Sequence, residues 1–289
     1  MFMSRPHAFK RVTIVGVGLM GGSFGLALKK YQLASEVIGF SHRQSSLVNA
    51  LKVKAIDEGH TDVAKAIRNS DLIVLATPVS TIVQLFATIS PHLKRGCIVT
   101  DLGSTKVEIV EAAEKKLPNH VYFIGSHPMT GSEQTGVEFA RAELFENAHC
   151  ILTPTSKTSP VAKEKIKHLW TKMGAKIALL SPVEHDEILS YISHLPHLLA
   201  YGLMETIPQK FLEYATPGLK DTTRIASSSP QVWNDICIAN SKNVIKALDE
   251  CVKALSHLRK AIVAEDQKTL MQHFTKAKEK RDEIQPKAT

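Results

Sequence analysis

Six residues near the start of the chain, Gly16-Val17-Gly18-Leu19-Met20-Gly21, follow an apolar run at 12–15 and open a helical stretch at 23–30. In that setting each glycine suits a dinucleotide. The first makes the tight turn, the second lets the backbone approach a pyrophosphate, and the third lets helix and strand pack closely. Leu19 and Met20 complete the turn, and the pyrophosphate would rest on the helix N-terminus, where unpaired amides and the helix dipole favour an anion. About twenty residues on, an NAD site places Asp or Glu for the ribose hydroxyls; this chain has Ser41-His42-Arg43-Gln44-Ser45-Ser46. No carboxylate stands there to repel a 2′-phosphate. Arg43 and His42 can pair with that phosphate and Ser41 and Ser45 can hydrogen-bond it, so NADP is the preferred cofactor and NAD a possible one. Thr77-Pro78 and Asp101-Leu102-Gly103-Ser104 follow later strand runs, at the carboxyl ends where ligands bind in open parallel sheets.

Hydroxyl, imidazole and guanidinium groups gather in four further segments. These are Gly103-Ser104-Thr105-Lys106, Gly125-Ser126-His127-Pro128-Met129-Thr130-Gly131-Ser132-Glu133, Ser193-His194-Leu195-Pro196-His197, and the stretch 218–227 that contains Arg224. On a helix starting near Pro182, steps of seven and four residues bring Asp186, Ser193 and His197 to one face, with His194 alongside. Pro196 inside that helix should kink it. A histidine pair three apart with no further Cys or carboxylate at ligand spacing does not make a metal site, and none is expected. No GxSxG elbow, HExxH or GxxxxGK[ST] loop occurs, which removes hydrolase, zincin and P-loop readings.

The elements that must hold these groups alternate, up to about residue 180, between short β-branched runs and helical stretches. Strands are expected at 12–15, 37–40, 72–76, 97–100, 122–124, 150–153 and 176–180. Parallel strands buried on both faces read as continuous apolar runs, and Asp71-Leu72-Ile73-Val74-Leu75-Ala76 does. The fold class is α/β: a Rossmann-like, doubly wound, mostly parallel sheet in residues 1–180, followed by an all-α domain in 181–289. Ser181-Pro182-Val183-Glu184 has the order of a helix start, with a cap serine, a first-turn proline and a glutamate three residues after the cap. Ser229-Pro230 repeats the signal for a helix running toward residue 264, with 216–229 between them read as a loop. Residues 266–283 read as a mixed-charge, solvated helix.

A chain of 289 residues is long enough for two domains of about 150 residues each. Hydrophobic residues at 44% and charged ones at 22% exclude a disordered or collagen-like chain. The 36 Lys and Arg against 28 Asp and Glu leave +8, which favours anionic partners. The basic residues are scattered, without aromatic interleaving or a recognition-helix motif, so nucleic acid is not an expected partner. Cys97, Cys150, Cys237 and Cys251 lie far apart without a CxxC pair, as in reduced cytosolic proteins. No apolar run approaches the roughly 18 residues of a membrane span, and residues 1–11 hold no hydrophobic stretch of a secretory signal. A cytoplasmic location is expected.

Together with the glycine turn, the four segments resemble, in order and spacing, the prephenate and arogenate dehydrogenase family of tyrosine biosynthesis, from Val12 to about Asp266. The resemblance implies an oxidative decarboxylation: hydride leaves ring C4 of a cyclohexadienol for nicotinamide, carbon dioxide leaves C1, and the ring becomes aromatic. It also implies His127 as the catalytic histidine and Ser104 as a catalytic hydroxyl that bonds the reacting oxygen and helps orient His127. Arg224 would bind a substrate carboxylate, with Ser193, His194 and His197 on the segment that meets the substrate and Asp186 where an acidic residue supports the site. A homodimer through the C-terminal helices, with Trp233 near the interface, is implied by the same resemblance. Apolar positions such as Val232, Ile236, Ile245, Leu248, Val252 and Leu255 are more than one short helix needs. Prephenate is the favoured substrate because His197 follows Pro196; arogenate is the alternative, favoured by the 41–46 turn. A β-hydroxyacid dehydrogenase is a more distant alternative, but it would carry a lysine between Pro182 and Glu205, where none occurs. A dinucleotide-sensing protein without catalysis is another.

Overall fold

The computed structural model describes residues 8–132 and 134–284. In chain order the elements are β1 (Phe9–Val15), α1 (Leu19–Lys30), β2 (Ala34–Phe40), α2 (Gln44–Lys52), β3 (Glu58–His60), α3 (Val63–Ile67), β4 (Leu72–Leu75), α4 (Val79–Ile89), β5 (Ile98–Asp101), α5 (Val107–Lys116), β6 (Tyr122–Pro128), β7 (His149–Thr153), α6 (Pro160–Lys172) and β8 (Lys176–Leu179). The remaining elements are helices: α7 (Pro182–Leu189), α8 (Leu195–Thr206), α9 (Pro217–Thr223), α10 (Pro230–Ala239), α11 (Ser241–Val263) and α12 (Gln267–Ile284).

One eight-stranded sheet runs β3-β2-β1-β4-β5-β6-β7-β8. All neighbours are parallel except β6 and β7, so the last two strands point against the rest. The seven expected strands form. β3 is an addition that the sequence hides: Glu58-Gly59-His60 is polar and short, and as an edge strand it needs pairing on one side only. Strand order around β1 places the switch point between β1 and β4, with the carboxyl ends of β1, β4, β5 and β6 on one edge. Each face of the sheet is covered. On one side Phe24 and Phe145 meet Trp170 edge-on at 5.2 and 5.1 Å; on the other Phe86 meets Phe123 at 5.6 Å.

The helical part departs from expectation at three places. The helix that starts at the Ser181 capping box is not regular throughout: residues Ser190–His194 form a π turn, and α8 continues from Leu195 with Pro196 as its second residue. The extra residue in the turn rotates the downstream residues about the helix axis, so Asp186, Ser193 and His197 do not form the single stripe that a regular helix would give. Residues 216–229 are not a loop. Thr216 caps α9 through its hydroxyl with Pro217 at the first position, and a 3-10 turn, Arg224–Ser227, comes next. The long helix expected from Pro230 breaks at Asn240 into α10 and α11, because the Asn240 side chain turns inward to buried partners.

The described chain packs as two compact units, one ending at Ser241 and one beginning at Lys242. The first therefore contains α7 to α10 as well as the sheet. The second carries α12, which buries none of its side chains, as its mixed charge suggests, and many exposed apolar residues, among them Ile245, Val252, Leu255, Ile262, Val263 and Phe274. Among the described residues no helix is long and apolar enough to cross a membrane. The four cysteines are free thiols, and burial pushes that of Cys97 up to about 12.

Candidate active site

The glycine turn lies at the carboxyl end of β1. Gly16 has φ +99°, a left-handed conformation that favours glycine, and a Cβ on Gly21 would stand 1.9 Å from the Gly16 carbonyl oxygen. A Cβ on Gly18 would meet nothing within 4 Å. Gly18 caps α1 without any side-chain hydrogen bond, and no acidic residue stands in the first turn. The result is an open cradle of helix amides, into which Leu19 and Met20 lead, and it fits a pyrophosphate. Thr77 packs its methyl beside Gly16 and has a buried hydroxyl with no partner; Pro78 caps α4 next to it. At the end of β2, His42 and Arg43 are exposed, His42 against Phe40 at 4.9 Å, and Ser41 accepts a hydrogen bond from the Arg43 amide at 3.2 Å. Ser45 is exposed on the first turn of α2. These residues also suit an adenosine ribose or its phosphate.

His127 lies within β6, where the sequence suggests a position just past a strand end. The reason is a change of partner: β6 pairs with β5 only as far as Thr100–Ile124, and from Gly125 to Pro128 it pairs with β7 instead. Side chains fill the gap that opens between β5 and β6. The Thr100 and Ser126 hydroxyls meet at 2.7 Å, and Ser126 Oγ donates to the Asp101 carbonyl at 2.8 Å. Lys106, fully buried, places its ammonium on the Asp101 carboxylate and donates to the Ser126 carbonyl at 3.0 Å. Burial pushes the Asp101 carboxyl up, and Lys106 opposes that shift.

From this knot a chain of hydrogen bonds runs through three ionisable side chains. Asp186 on α7 accepts from the backbone amides of Lys106 at 2.7 Å and Val107 at 2.9 Å, so it caps the N-terminus of α5 from another helix. His185 Nδ1 meets Asp186 Oδ1 at 2.7 Å, and His185 Nε2 meets His127 Nδ1 at 2.8 Å. Burial holds both imidazoles below the usual range, His127 far below it, with His185, Lys106 and His194 adding to the shift at His127. His127 is thus neutral at neutral pH. Ser104 is half-buried and makes no hydrogen bond to His127; the side chain bonded to His127 is His185. Asp186 is buried behind His185, at the far end of this chain of hydrogen bonds.

The residues after the π turn gather around Trp233. His197 stacks on it with ring centroids 3.5 Å apart and donates through Nδ1 to the Ser193 carbonyl at 2.9 Å. That leaves Nε2 of His197 as an acceptor, and burial, with the nearby Arg224 charge, holds the ring below the usual range. Arg224 is exposed at the start of its 3-10 turn, and Ser193 is half-buried. His194 is buried, with a pKa pushed down to about 4 by that burial. The Asn240 amide donates to the Asp186 carbonyl at 2.7 Å and faces His194 Nδ1 at 3.2 Å. Nε2–H of His194 is then a buried donor with no partner in the protein. Sequence reasoning missed His185, Asn240 and the role of Lys106. The adjacent pair His185-Asp186 directly after a capping box was the available signal. Glu133 lies outside the described residues. Among those described, no group of three His, Cys, Asp or Glu side chains could hold a metal ion.

Two family models match: prephenate dehydrogenase, nucleotide-binding domain, over residues 24–179, and prephenate dehydrogenase, dimerization domain, over residues 181–276. A prephenate dehydrogenase of Bacillus subtilis is 36% identical over 278 residues, covering 94% of this chain and 75% of its own. The structure of prephenate dehydrogenase from A. aeolicus in complex with hydroxyphenyl propionate and NAD+ superposes with a TM-score of 0.89 at 35% identity, covering 96% of this chain and 98% of that one. Synechocystis arogenate dehydrogenase gives a TM-score of 0.80 at 28% identity, covering 95% and 100%. With its glycine cradle, its buried neutral histidine and two family models that span most of its length, the chain belongs to the prephenate dehydrogenase family.

Proposed function

We propose that this chain oxidatively decarboxylates prephenate to 4-hydroxyphenylpyruvate, with NADP as the preferred hydride acceptor, and that His127 is the base. The enzyme is a nicotinamide-dependent dehydrogenase of tyrosine biosynthesis, and the bound nicotinamide supplies the acceptor for the hydride from ring C4. The observation that carries the reading is the buried His127 imidazole, neutral and held on the edge of the sheet where the glycine turn lies. A neutral imidazole takes the proton of the C4 hydroxyl as the carbonyl forms. When the C1 carboxylate leaves as carbon dioxide, its bonding pair enters the ring, and His127 returns the proton to the oxygen that becomes the phenol. Ser104, with a free hydroxyl, serves that same oxygen. Arg224 offers its planar fork to a carboxylate, and His194, His197 and Ser193 line the side-chain end. In this reading the functional division falls between residues 180 and 181, where the two family models also part.

Arogenate is the second reading. His197 Nε2, an acceptor, is as well suited to an ammonium as, once protonated, to a keto acid. Turnover of each substrate with each cofactor tests both points. The expected result is a higher kcat/KM with prephenate and with NADP; a clear preference for NAD removes the role given to His42 and Arg43. Arg224→Lys should raise the substrate KM by about tenfold or more, since one charge-assisted hydrogen bond is about 1.5–3 kcal/mol. An unchanged KM would show that Arg224 does not hold the carboxylate.

The exposed apolar residues of α11 and α12 and the matched dimerization domain support a homodimer through these helices. Light scattering should give twice the chain mass; a single-chain mass contradicts it. A cytoplasmic location agrees with four free thiols.

A further inference from the structure

We propose that His185 and Asp186 are positioning residues that fix the tautomer of His127, so that its Nε2 carries the lone pair that takes the substrate proton. The proposal rests on reading His127 as the base. It is decided by which atoms can donate. The backbone amides of Lys106 and Val107 can only donate, one to each oxygen of Asp186, so both oxygens accept, as in a carboxylate. The third bond to Asp186, at 2.7 Å, must then be donated by His185 Nδ1. With its proton there, neutral His185 has its lone pair on Nε2, 2.8 Å from His127 Nδ1. His127 must donate across that contact, and its own lone pair is left on Nε2.

The same chain serves the charged state. Once Nε2 has taken the hydroxyl proton, the His127 cation keeps its Nδ1–H on His185, which in turn donates to the Asp186 carboxylate. A buried cation without such a partner would be costly. The other ionisable groups around the pair are Lys106 and Asp101 from the end of β5 and the turn after it, Cys150 from β7, and His194 from the π turn. Of these, Lys106 and His194 disfavour a charge on His127, and only Asp186 is bonded to the relay as an acceptor.

Asp186→Asn offers one acceptor oxygen where two backbone amides and a ring N–H need accommodation. Its amide N–H2, turned to His185 Nδ1, reverses the chain: His185 carries its proton on Nε2, donates to His127 Nδ1, and leaves the His127 proton on Nε2. The base is then blocked. The expected loss in kcat is up to about 10⁴-fold, the size seen when a catalytic histidine is held in the wrong tautomer, with cofactor Kd unchanged. His185→Gln, whose carbonyl can accept from His127 Nδ1–H, should keep more activity than His185→Leu. In histidine-labelled enzyme, ¹⁵N spectra at neutral pH, assigned with His127→Asn, should show His127 Nε2 unprotonated in the wild type and protonated in Asp186→Asn. A wild-type spectrum with the proton on His127 Nε2 overturns the proposal even if Asp186→Asn does not fold. So does wild-type kcat in both Asp186→Asn and His185→Leu when His127→Asn is inactive. Activity retained in His127→Asn instead refutes the base assignment, and the ¹⁵N tautomer remains a separate reading of the relay.

Discussion

His127→Asn lowers kcat by about 10²–10⁴-fold, the range of a lost general base, while the cofactor Kd stays at the wild-type value. Asparagine can still donate to His185 through its amide, so the strand pairing of β6 with β7 and the neighbouring bonds survive, and the loss is chemical. The pH profile carries a second expectation. Burial holds the His127 pKa far below the usual imidazole range, so the base is in its active, neutral form throughout the neutral region. The acid limb of kcat should therefore lie below pH 6.5, the ordinary histidine value, and activity should fall only as the pH drops through the depressed pKa. Stability has the same sign. The unfolded chain protonates His127 and His185 first, so their contribution is present above about pH 6.5 and is lost as the pH falls toward the folded values. An acid limb at or above pH 6.5, or a kcat untouched by His127→Asn, would remove the base from this position.

Lys106→Met should destabilise the protein by about 3–5 kcal/mol, the usual effect of leaving one partner of a buried ion pair behind, measured by urea unfolding. Both partners are fully buried, and the Lys106 ammonium also satisfies the Ser126 carbonyl beside His127. Met fills the stem of the lysine but leaves the Asp101 carboxylate without its counter-charge. Adding Asp101→Asn to Lys106→Met should recover part of the loss, since an amide removes the buried charge and its one oxygen still accepts from Gly103 or from Ser126. If Lys106→Met costs less than about 1 kcal/mol, the pair lacks the desolvated character that makes such losses large.

The glycine turn and the strands were legible because their signals are local. A φ of +99° at Gly16 and the close approach at Gly21 demand glycine whatever surrounds them, and buried parallel strands announce themselves as apolar runs. β3 was not, since an edge strand of three polar residues has no apolar period to read. The helical half was harder for the same reason. Thr216-Pro217 is a helix start hidden in a Gly- and Thr-rich stretch, and the break at Asn240 depends on partners, Asp186 and His194, that lie 54 and 46 residues away. At the site, His127 could be named from its motif, but not what holds it. His185 is 58 residues distant, and Lys106 reaches Asp186 through a backbone amide, which no side-chain pattern reveals. Trp233 belongs with these. Between it and His197, on which it stacks, lie two 3-10 turns, Gln209–Tyr214 and Arg224–Ser227, and the whole of α9.

The π turn at Ser190–His194 also changes how lengths may vary in this chain. Losing one residue from a surface loop is often tolerated, and a helix interior usually absorbs a substitution. Here the π turn takes up one residue more than a regular helix, so a deletion between 190 and 194 that converts it to α-helix leaves everything after it facing the same way, whereas a deletion that keeps the π turn would rotate the rest by about 100° about the axis, one residue's share of a 3.6-residue turn. In the second case His194 and His197 would leave Asn240 and Trp233 although neither had been altered. The segment behaves as an expansion joint in the helix, where the number of residues can fall by one while the side chains beyond it keep their places.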